Sequence, residues 1–257
     1  MTETITATLT AAQRDRFTEQ GYLVLRQLAP ATVLTELQQV AREQLAARQA
    51  PLEYESEADY PGLPGLTGQT EGTTVRRLLQ AYDRHPAFAD WATHERITAR
   101  VAALLGDDLW LVRNHHNCLM TKHPQGSSRT GWHRDTRYWY FSRPELVNAW
   151  LALDGEHPDN GGLHVIPGSQ RLDIEPERLD AALFLRDDPR NQALIDSAVA
   201  LQLEPGDVLL FHSHLLHAAG NNRSEAVKHA LVFTYRAGDN PPLADSRSSR
   251  QPDVPLG

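Results

Sequence analysis

The spacing of apolar and polar positions changes character near residue 109. Upstream, helical patterns dominate. Thr10 with Gln13 three residues later is a capping box that opens a helix through Gln20, and Gly21 stops it. Tyr22–Leu25 predicts a strand. Pro30–Ala47 reads as a long amphipathic helix rich in Leu, Gln, Ala and Arg. Ala50–Thr74 contains Pro51, Pro61, Gly62, Pro64, Gly65, Gly68 and Gly72, which predicts a loop able to act as a lid. Pro86–Leu105 predicts two short helices. From Leu109 onward the pattern shifts to short β-like runs broken by turn signals: Leu109–Met120, Asn148–Leu153, Gly162–Ile166, Ala198–Leu203, Asp207–His212 and His229–Tyr235. Residues 171–197 read as an acidic helical insertion. The segment from Gly238, with four prolines and three serines, reads as loose.

Helices followed by evenly spaced strands predict one domain over residues 1–257, mainly β. The expected fold is a jelly-roll core over about 109–237, with helical support over about 10–105 and a loose tail over 238–257. Along the strand at 110–121, the even positions run Trp110, Val112, Asn114, His116, Cys118 and Met120, while the odd ones include Arg113, His115, Asn117 and Thr121. Side chains alternate across a strand, so this reading packs the even face on the helices and lines a polar cavity with the odd face.

Composition narrows the function. A formal net charge of −8 disfavours nucleic acid and anionic membrane as partners. No apolar run approaches the roughly 20 residues that span a bilayer. Met1–Thr8 lacks a basic stretch followed by an apolar one, so no secretion signal is expected. The single cysteine, Cys118, excludes an internal disulfide and cysteine-rich zinc sites. A soluble cytoplasmic protein acting on a small molecule is expected, with its oligomeric state left open. The 12 histidines stand out, because imidazole is the commonest protein ligand for metals.

The sharpest local signal is Trp132-His133-Arg134-Asp135. In an extended segment His133 and Asp135 point to the same side and can grip one ion. Two histidines and a carboxylate on one face of a metal are the ligand set of non-haem iron(II) oxygenases. A third ligand has to come from a later strand. Glu204-Pro205-Gly206-Asp207 is a strong turn, followed by an apolar run and then His212, His214 and His217 before the turn at Gly220-Asn221-Asn222. His217 sits at the mouth of that hairpin. On spacing alone, the His-x-Asp pair also fits a surface ion pair, and His212 and His214 fit solvated or core histidines.

Four stretches carry a resemblance beyond the metal residues: Gly131–Tyr138, Asn148–Asp154, Asp159–Gln170, and Gly206 through His217 to Asn222. The third, with Asn160-Gly161-Gly162-Leu163 and Ile166-Pro167-Gly168-Ser169, is independent of metal chemistry and bounds a short strand between two tight turns. Together with the opening Phe17–Val24, the chain resembles the phytanoyl-CoA dioxygenase-like enzymes over roughly residues 10–237. These are iron(II)/2-oxoglutarate-dependent oxygenases with a double-stranded β-helix (cupin-like jelly roll).

The resemblance implies iron(II) held by His133, Asp135 and His217, 2-oxoglutarate as cosubstrate, and O₂. It implies a hydroxylation coupled to decarboxylation of 2-oxoglutarate to succinate and CO₂. Asp135 is retained, whereas related halogenases lack the carboxylate. The family holds the distal carboxylate of 2-oxoglutarate with a basic residue, normally arginine, eleven positions after the distal histidine; here that position is Lys228. Lysine keeps the charge but not the planar fork of arginine. Arg236 is a rival anchor, set farther from the metal end by eight residues of about 3.3 Å each, and Arg223 lies in the turn. The resemblance also implies cosubstrate contacts from Asn117, Thr121, Trp150 and, upstream, Arg77. Arg113, His115, Arg134, Arg137 and Tyr138 form a basic and aromatic group around the expected cavity, which favours a small anionic or zwitterionic substrate. Two alternatives stand beside this reading: a cupin-like metal enzyme that does not use 2-oxoglutarate, and a non-catalytic binding protein of the same fold.

Overall fold

The structure, a computed structural model, describes residues 8–57, 74–124 and 126–256. Among the described residues, six α-helices lie at Ala11–Gln20 (α1), Ala31–Ala47 (α2), Ala81–Arg84 (α3), Pro86–Ala92 (α4), Glu95–Leu105 (α5) and Pro189–Ile195 (α6). The strands are Tyr22–Leu25 (β1), Leu52–Tyr54 (β2), Val75–Leu79 (β3), Leu109–Lys122 (β4), Thr130–His133 (β5), Leu146–Ala152 (β6), Leu163–Val165 (β7), Val199–Ala200 (β8), Val208–His212 (β9), His217–Ala219 (β10), Lys228–Ala237 (β11) and Val254–Pro255 (β12).

The α1 capping box forms as expected: Thr10 Oγ1 accepts from the Gln13 N–H, the Gln13 side chain accepts from the Thr10 N–H, and Gly21 closes the helix at φ 79°. One antiparallel sheet runs β1-β9-β6-β11-β4-β3-β2, with β12 added along β4. A second runs β5-β10-β7-β8. Strict alternation fills both faces of the large sheet. Val147, Ala149 and Leu151 of β6 and Leu231, Phe233 and Tyr235 of β11 join Leu37, Phe88, Trp91 and Ile97 of the helices in one core. Trp150, Ala230, Val232, Leu209 and Phe211 point the other way, between the sheets, with Leu163 and Val165. The jelly roll carried on N-terminal helices is therefore the observed architecture.

Four local expectations differ from the structure. On β4, Leu109, Leu111 and Leu119 pack on the helices, while Cys118 and Met120 face the space between the sheets, the reverse of the expected faces. Burying those odd-numbered leucines sets the face. The pairing with β11 jumps from Val112 opposite Thr234 to Asn117 opposite Phe233, so Arg113–His116 bulge out of register. The insertion at 171–197 is mostly irregular, its one α-helix being the short α6. The expected lid at 50–74 contains strand β2 at its start, and its residues 58–73 lie outside the described residues.

The fourth difference is the tail, which is docked and not loose. Asn240 and Ser248 are fully buried, β12 pairs with β4, and Asp253 binds Arg236 at 2.6 Å and the Arg113 N–H at 3.3 Å. Proline and serine content hid these specific contacts. Because Asp253 is the buried partner of a buried guanidinium, removing it leaves an uncompensated charge. Asp253→Ala is predicted to lower stability by about 3 kcal/mol in urea unfolding, whereas the double change Asp253→Leu/Arg236→Met recovers most of the loss.

Candidate active site

Two short strands of the smaller sheet bring the histidines together. His133 ends β5 and His217 begins β10, directly opposite each other in the antiparallel register, with ring centroids 4.3 Å apart. Asp135 follows in a 3₁₀ turn whose backbone is fixed by Asp135 N–H donating to Ser213 O at 3.0 Å. One donor atom from each of His133, Asp135 and His217 lies within 4.8 Å of the others, and all three residues are buried. His212 and His214 are used otherwise. His212 Nδ1 accepts from the His214 N–H, and His214 Nδ1 pairs with Thr136 Oγ1.

The donors are preset for a metal. Nδ1 of His133 lies 2.9 Å from Gly131 O, and Nδ1 of His217 lies 3.0 Å from Leu215 O, which fixes the tautomers and leaves both Nε2 atoms as donors to a metal. Burial, and for His133 also the neighbouring His217 and Arg137, holds the two imidazoles below their ordinary range despite Asp135, so they are neutral, as ligation requires. Burial alone would raise Asp135, but His116, His217 and His133 outweigh it and keep the carboxylate ionised. The donor set thus fits a divalent iron ion with open positions for other ligands.

Two residues whose role the sequence left unread complete this corner. Asn148 Nδ2 donates to Asp135 Oδ2 at 2.8 Å, and Asn148 Oδ1 accepts from Thr234 Oγ1 at 2.5 Å, all out of solvent. His116 Nε2 lies 2.9 Å from Asp135 Oδ1. Burial opposes a charge on His116, yet the Asp135 carboxylate prevails and pushes it up to about 10. A lone amide in the apolar run Leu146–Ala152 was the available signal for Asn148. For His116 the bulge removed any parity signal.

A cavity of about 480 Å³ opens from this corner. Lys228, Trp150, Thr121, Arg77, His115, Arg137 and Tyr138 line it. Their contacts differ. Lys228 Nζ pairs with Glu156 Oε2 at 3.0 Å, and Trp150 Nε1 donates to Glu156 Oε1 at 2.6 Å. Thr121 donates its hydroxyl to Val75 O, and Arg77 is bound to Glu53. Arg137 lies 4.0 Å over the Phe184 ring, itself 5.3 Å from the His133 ring. His115 stacks on Trp139 at 4.6 Å and shares a 2.6 Å bond with Ser248 Oγ; burial, with His116 and Arg247, drives it down to about 3, hence neutral.

Three expected site residues are not brought to the cavity. Asn117 accepts from the Tyr82 N–H on the helical side, because the true face of β4 is inverted. Arg113 binds both oxygens of Asp83 at 2.7 Å. Arg134 donates to Ser169 O and Leu172 O. Arg236, the rival anchor, is engaged by Asp253 at the opposite end of β11.

Fold and site define a mononuclear iron(II)- and 2-oxoglutarate-dependent oxygenase. The chain belongs to the phytanoyl-CoA dioxygenase (PhyH) family, whose model matches residues 17–230. It is 24% identical to the human peroxisomal phytanoyl-CoA dioxygenase over 247 residues, 90% of this chain and 69% of that protein. It is 25% identical to the ectoine dioxygenase of Sphingopyxis alaskensis, covering 91% of this chain and 78% of the relative. With the L-proline trans-4-hydroxylase of Streptomyces griseoviridis it shares 28% identity over 75% of this chain and 81% of that one. Among solved structures, iron-bound EctD from S. alaskensis superposes with a TM-score of 0.75 at 23% identity, covering 95% of this chain and 82% of its own. The epimerase SnoN, in complex with Fe3+ and alpha ketoglutarate, gives 0.71 at 20% identity, covering 90% and 84%. Among the described residues, no helix is long and apolar enough to cross a membrane.

Asn148 locks the Asp135 oxygen turned away from the histidines, so its loss frees the carboxylate to rotate. Asn148→Ala is predicted to weaken iron(II) binding by about 10- to 100-fold, read by anaerobic metal titration. Equal affinity in wild type and variant would remove Asn148 from the site's support.

Proposed function

We propose that the protein hydroxylates a small anionic or zwitterionic metabolite, with His133, Asp135 and His217 holding iron(II) and Lys228 engaging the distal carboxylate of 2-oxoglutarate. The observation that carries the substrate class is Arg137. Its guanidinium stacks over Phe184 next to the His133 ring and lines the same cavity, so a cation stands beside the metal donors. Tyr138, 5.0 Å from the same guanidinium, and neutral His115 against Trp139 add an aromatic wall. A substrate carboxylate paired with Arg137 would set its aliphatic carbons toward the metal.

Bound iron(II) and 2-oxoglutarate supply the oxidising chemistry, in which O₂ is consumed, 2-oxoglutarate becomes succinate and CO₂, and one oxygen atom enters the substrate. The chain's own contribution is to hold the ligands, orient both small molecules and exclude water. Asn148 and His116 fix the carboxylate of Asp135. Trp150, Leu163 and Met120 give the cavity its apolar surface. The retained carboxylate favours hydroxylation. Ectoine and L-proline, in the names of two relatives, are both small zwitterions, which agrees with the proposed class.

The test is substrate-stimulated succinate formation across matched amino acids, their carboxamides and neutral alcohols. Carboxylates are expected to stimulate and their amides to fail. Arg137→Gln is expected to raise the KM of the best carboxylate about 30-fold while leaving 2-oxoglutarate binding unchanged. Equal stimulation by amides, or an unchanged KM in Arg137→Gln, would contradict the anionic class. Turnover without succinate would favour an enzyme that does not use 2-oxoglutarate.

A further inference from the structure

The docked tail reaches the cavity through one side chain. Arg247 is exposed and lines it, although its neighbours in sequence are held firmly. Ser248 is fully buried; its hydroxyl accepts from the Tyr140 N–H at 2.8 Å and shares a 2.6 Å bond with His115 Nε2. Ser246 Oγ accepts from the Ser248 N–H at 3.2 Å. The bulge of β4 supplies the rest of the hold. Asn114 Oδ1 accepts from the Gln251 N–H at 2.9 Å, and Asn114 Nδ2 donates to Gln251 O at 2.7 Å. The backbone on both sides of Arg247 is therefore fixed against β4, which sets the guanidinium at the cavity.

Arg247 Cζ lies 5.8 Å from the centre of the Tyr138 ring, and Arg137 Cζ lies 5.0 Å from the same centre. Both guanidiniums line the cavity, Arg137 half-buried over Phe184 and Arg247 exposed. Among the described residues, no carboxylate lies within ion-pair distance of Arg247. A contact with a ring face consumes none of its N–H donors. The glutamates that line the cavity from the β2 side are engaged elsewhere. Glu53 pairs with Arg76 and Arg77, Glu55 accepts from Ser128 Oγ, and Glu57 accepts from the Tyr54 N–H. His115 adds no charge here, since burial, with His116 and Arg247, keeps it neutral.

Two guanidiniums set about one aromatic ring match a molecule with two separated carboxylates, because each planar fork binds one of them. We propose that Arg247 determines specificity by binding a second carboxylate of the substrate, which is a small aliphatic amino acid with an acidic side chain held between Arg137 and Arg247. This inference rests on the proposed role of Arg137 and narrows its substrate class from one anionic group to two. It also gives a recognition role to a segment beyond residues 17–230, the span that the family model matches. Arg137 fixes the inner end of the substrate beside the metal donors. Arg247, at the exposed rim, attracts the outer carboxylate and disfavours neutral or cationic ends.

The test uses the iron(II)-loaded full chain with saturating 2-oxoglutarate, without oxygen, in isothermal titration calorimetry. The probes are L-aspartate, L-glutamate, L-2-aminoadipate and L-2-aminopimelate, each beside its side-chain amide. The best acid is expected to bind about 10-fold more tightly than its amide, with the preference shrinking as salt is added. Arg247→Gln is expected to weaken that acid about 10-fold and leave the amide unchanged, so the preference disappears. Arg247→Glu should reverse the order, the amide binding better than the acid. Arg247 is exposed, so both variants should keep the wild-type Tm; Arg250→Gln, exposed on the same segment but outside the cavity lining, should keep the preference. Acids no tighter than their amides, or a full preference in Arg247→Gln, would overturn the outer site. Weaker binding of acids and amides alike in Arg137→Gln would then leave the single-anion reading standing. An unchanged affinity in Arg137→Gln would overturn that reading and the two-point hold with it. If no probe binds, the acidic amino-acid class is overturned, and stimulation of succinate formation by monocarboxylates still decides the reading of Arg137.

Discussion

His133 and His217 face each other across an antiparallel pair of short strands, and that register decides where every other group of the site can go. A slip of one residue would turn one imidazole to the opposite face and leave no common point for a metal. Strands of four and three residues do not fix a register by themselves. The register is pinned from the flanks. β10 also pairs with β7, the Ile166 N–H donates to Leu216 O, and the Leu216 N–H donates to the buried hydroxyl of Ser169. Arg134, between the two ligands in sequence, donates to Ser169 O and ties both sides to the same residue. Thus the Ile166-Pro167-Gly168-Ser169 stretch, which offers no metal ligand, positions one.

The same cavity carries two electrostatic problems solved in different ways. At the metal end, the neutral imidazoles of His133 and His217 stand beside the ionised carboxylate of Asp135, which holds a charged His116 on its other side. At the other end, Arg76 and Arg77 pair with Glu53 and Lys228 pairs with Glu156 in partly buried networks, with Lys122 and Glu55 lining the same cavity. Such networks contribute little net stability, since desolvation offsets much of the Coulomb attraction. On the proposed role of Lys228, their value is preorganisation: the charges that would meet a dicarboxylate are in place before it arrives.

Much of this was legible in the sequence, and the reasons are local. The capping box at Thr10, the strand at Tyr22–Leu25 and the His-x-Asp pair each depend on neighbours within a few residues. Lys228 was reachable by counting from His217, but its partner Glu156 was not, because a pairing between β11 and the loop after β6 leaves no periodic trace. The faces of β4 were misread because Arg113–His116 bulge out of register and because three odd-numbered leucines, not the even-numbered aromatic and sulfur residues, seal the helical core. That inversion sent Asn117 to the helices and brought His116 to Asp135. The tail looked loose for a similar reason. Its hold comes from single specific contacts, Ser248 to His115 and Asp253 to Arg236, in a composition typical of linkers.

The central claim is that His133, Asp135 and His217 form one iron site that also receives 2-oxoglutarate. It is tested most directly by adding iron(II) and then 2-oxoglutarate to the metal-free protein without oxygen and recording the visible spectrum. The account predicts a weak metal-to-ligand charge-transfer band that appears only when both are present and is lost in His217→Ala. A spectrum unchanged by 2-oxoglutarate in the wild type, or a full band in His217→Ala, would contradict it.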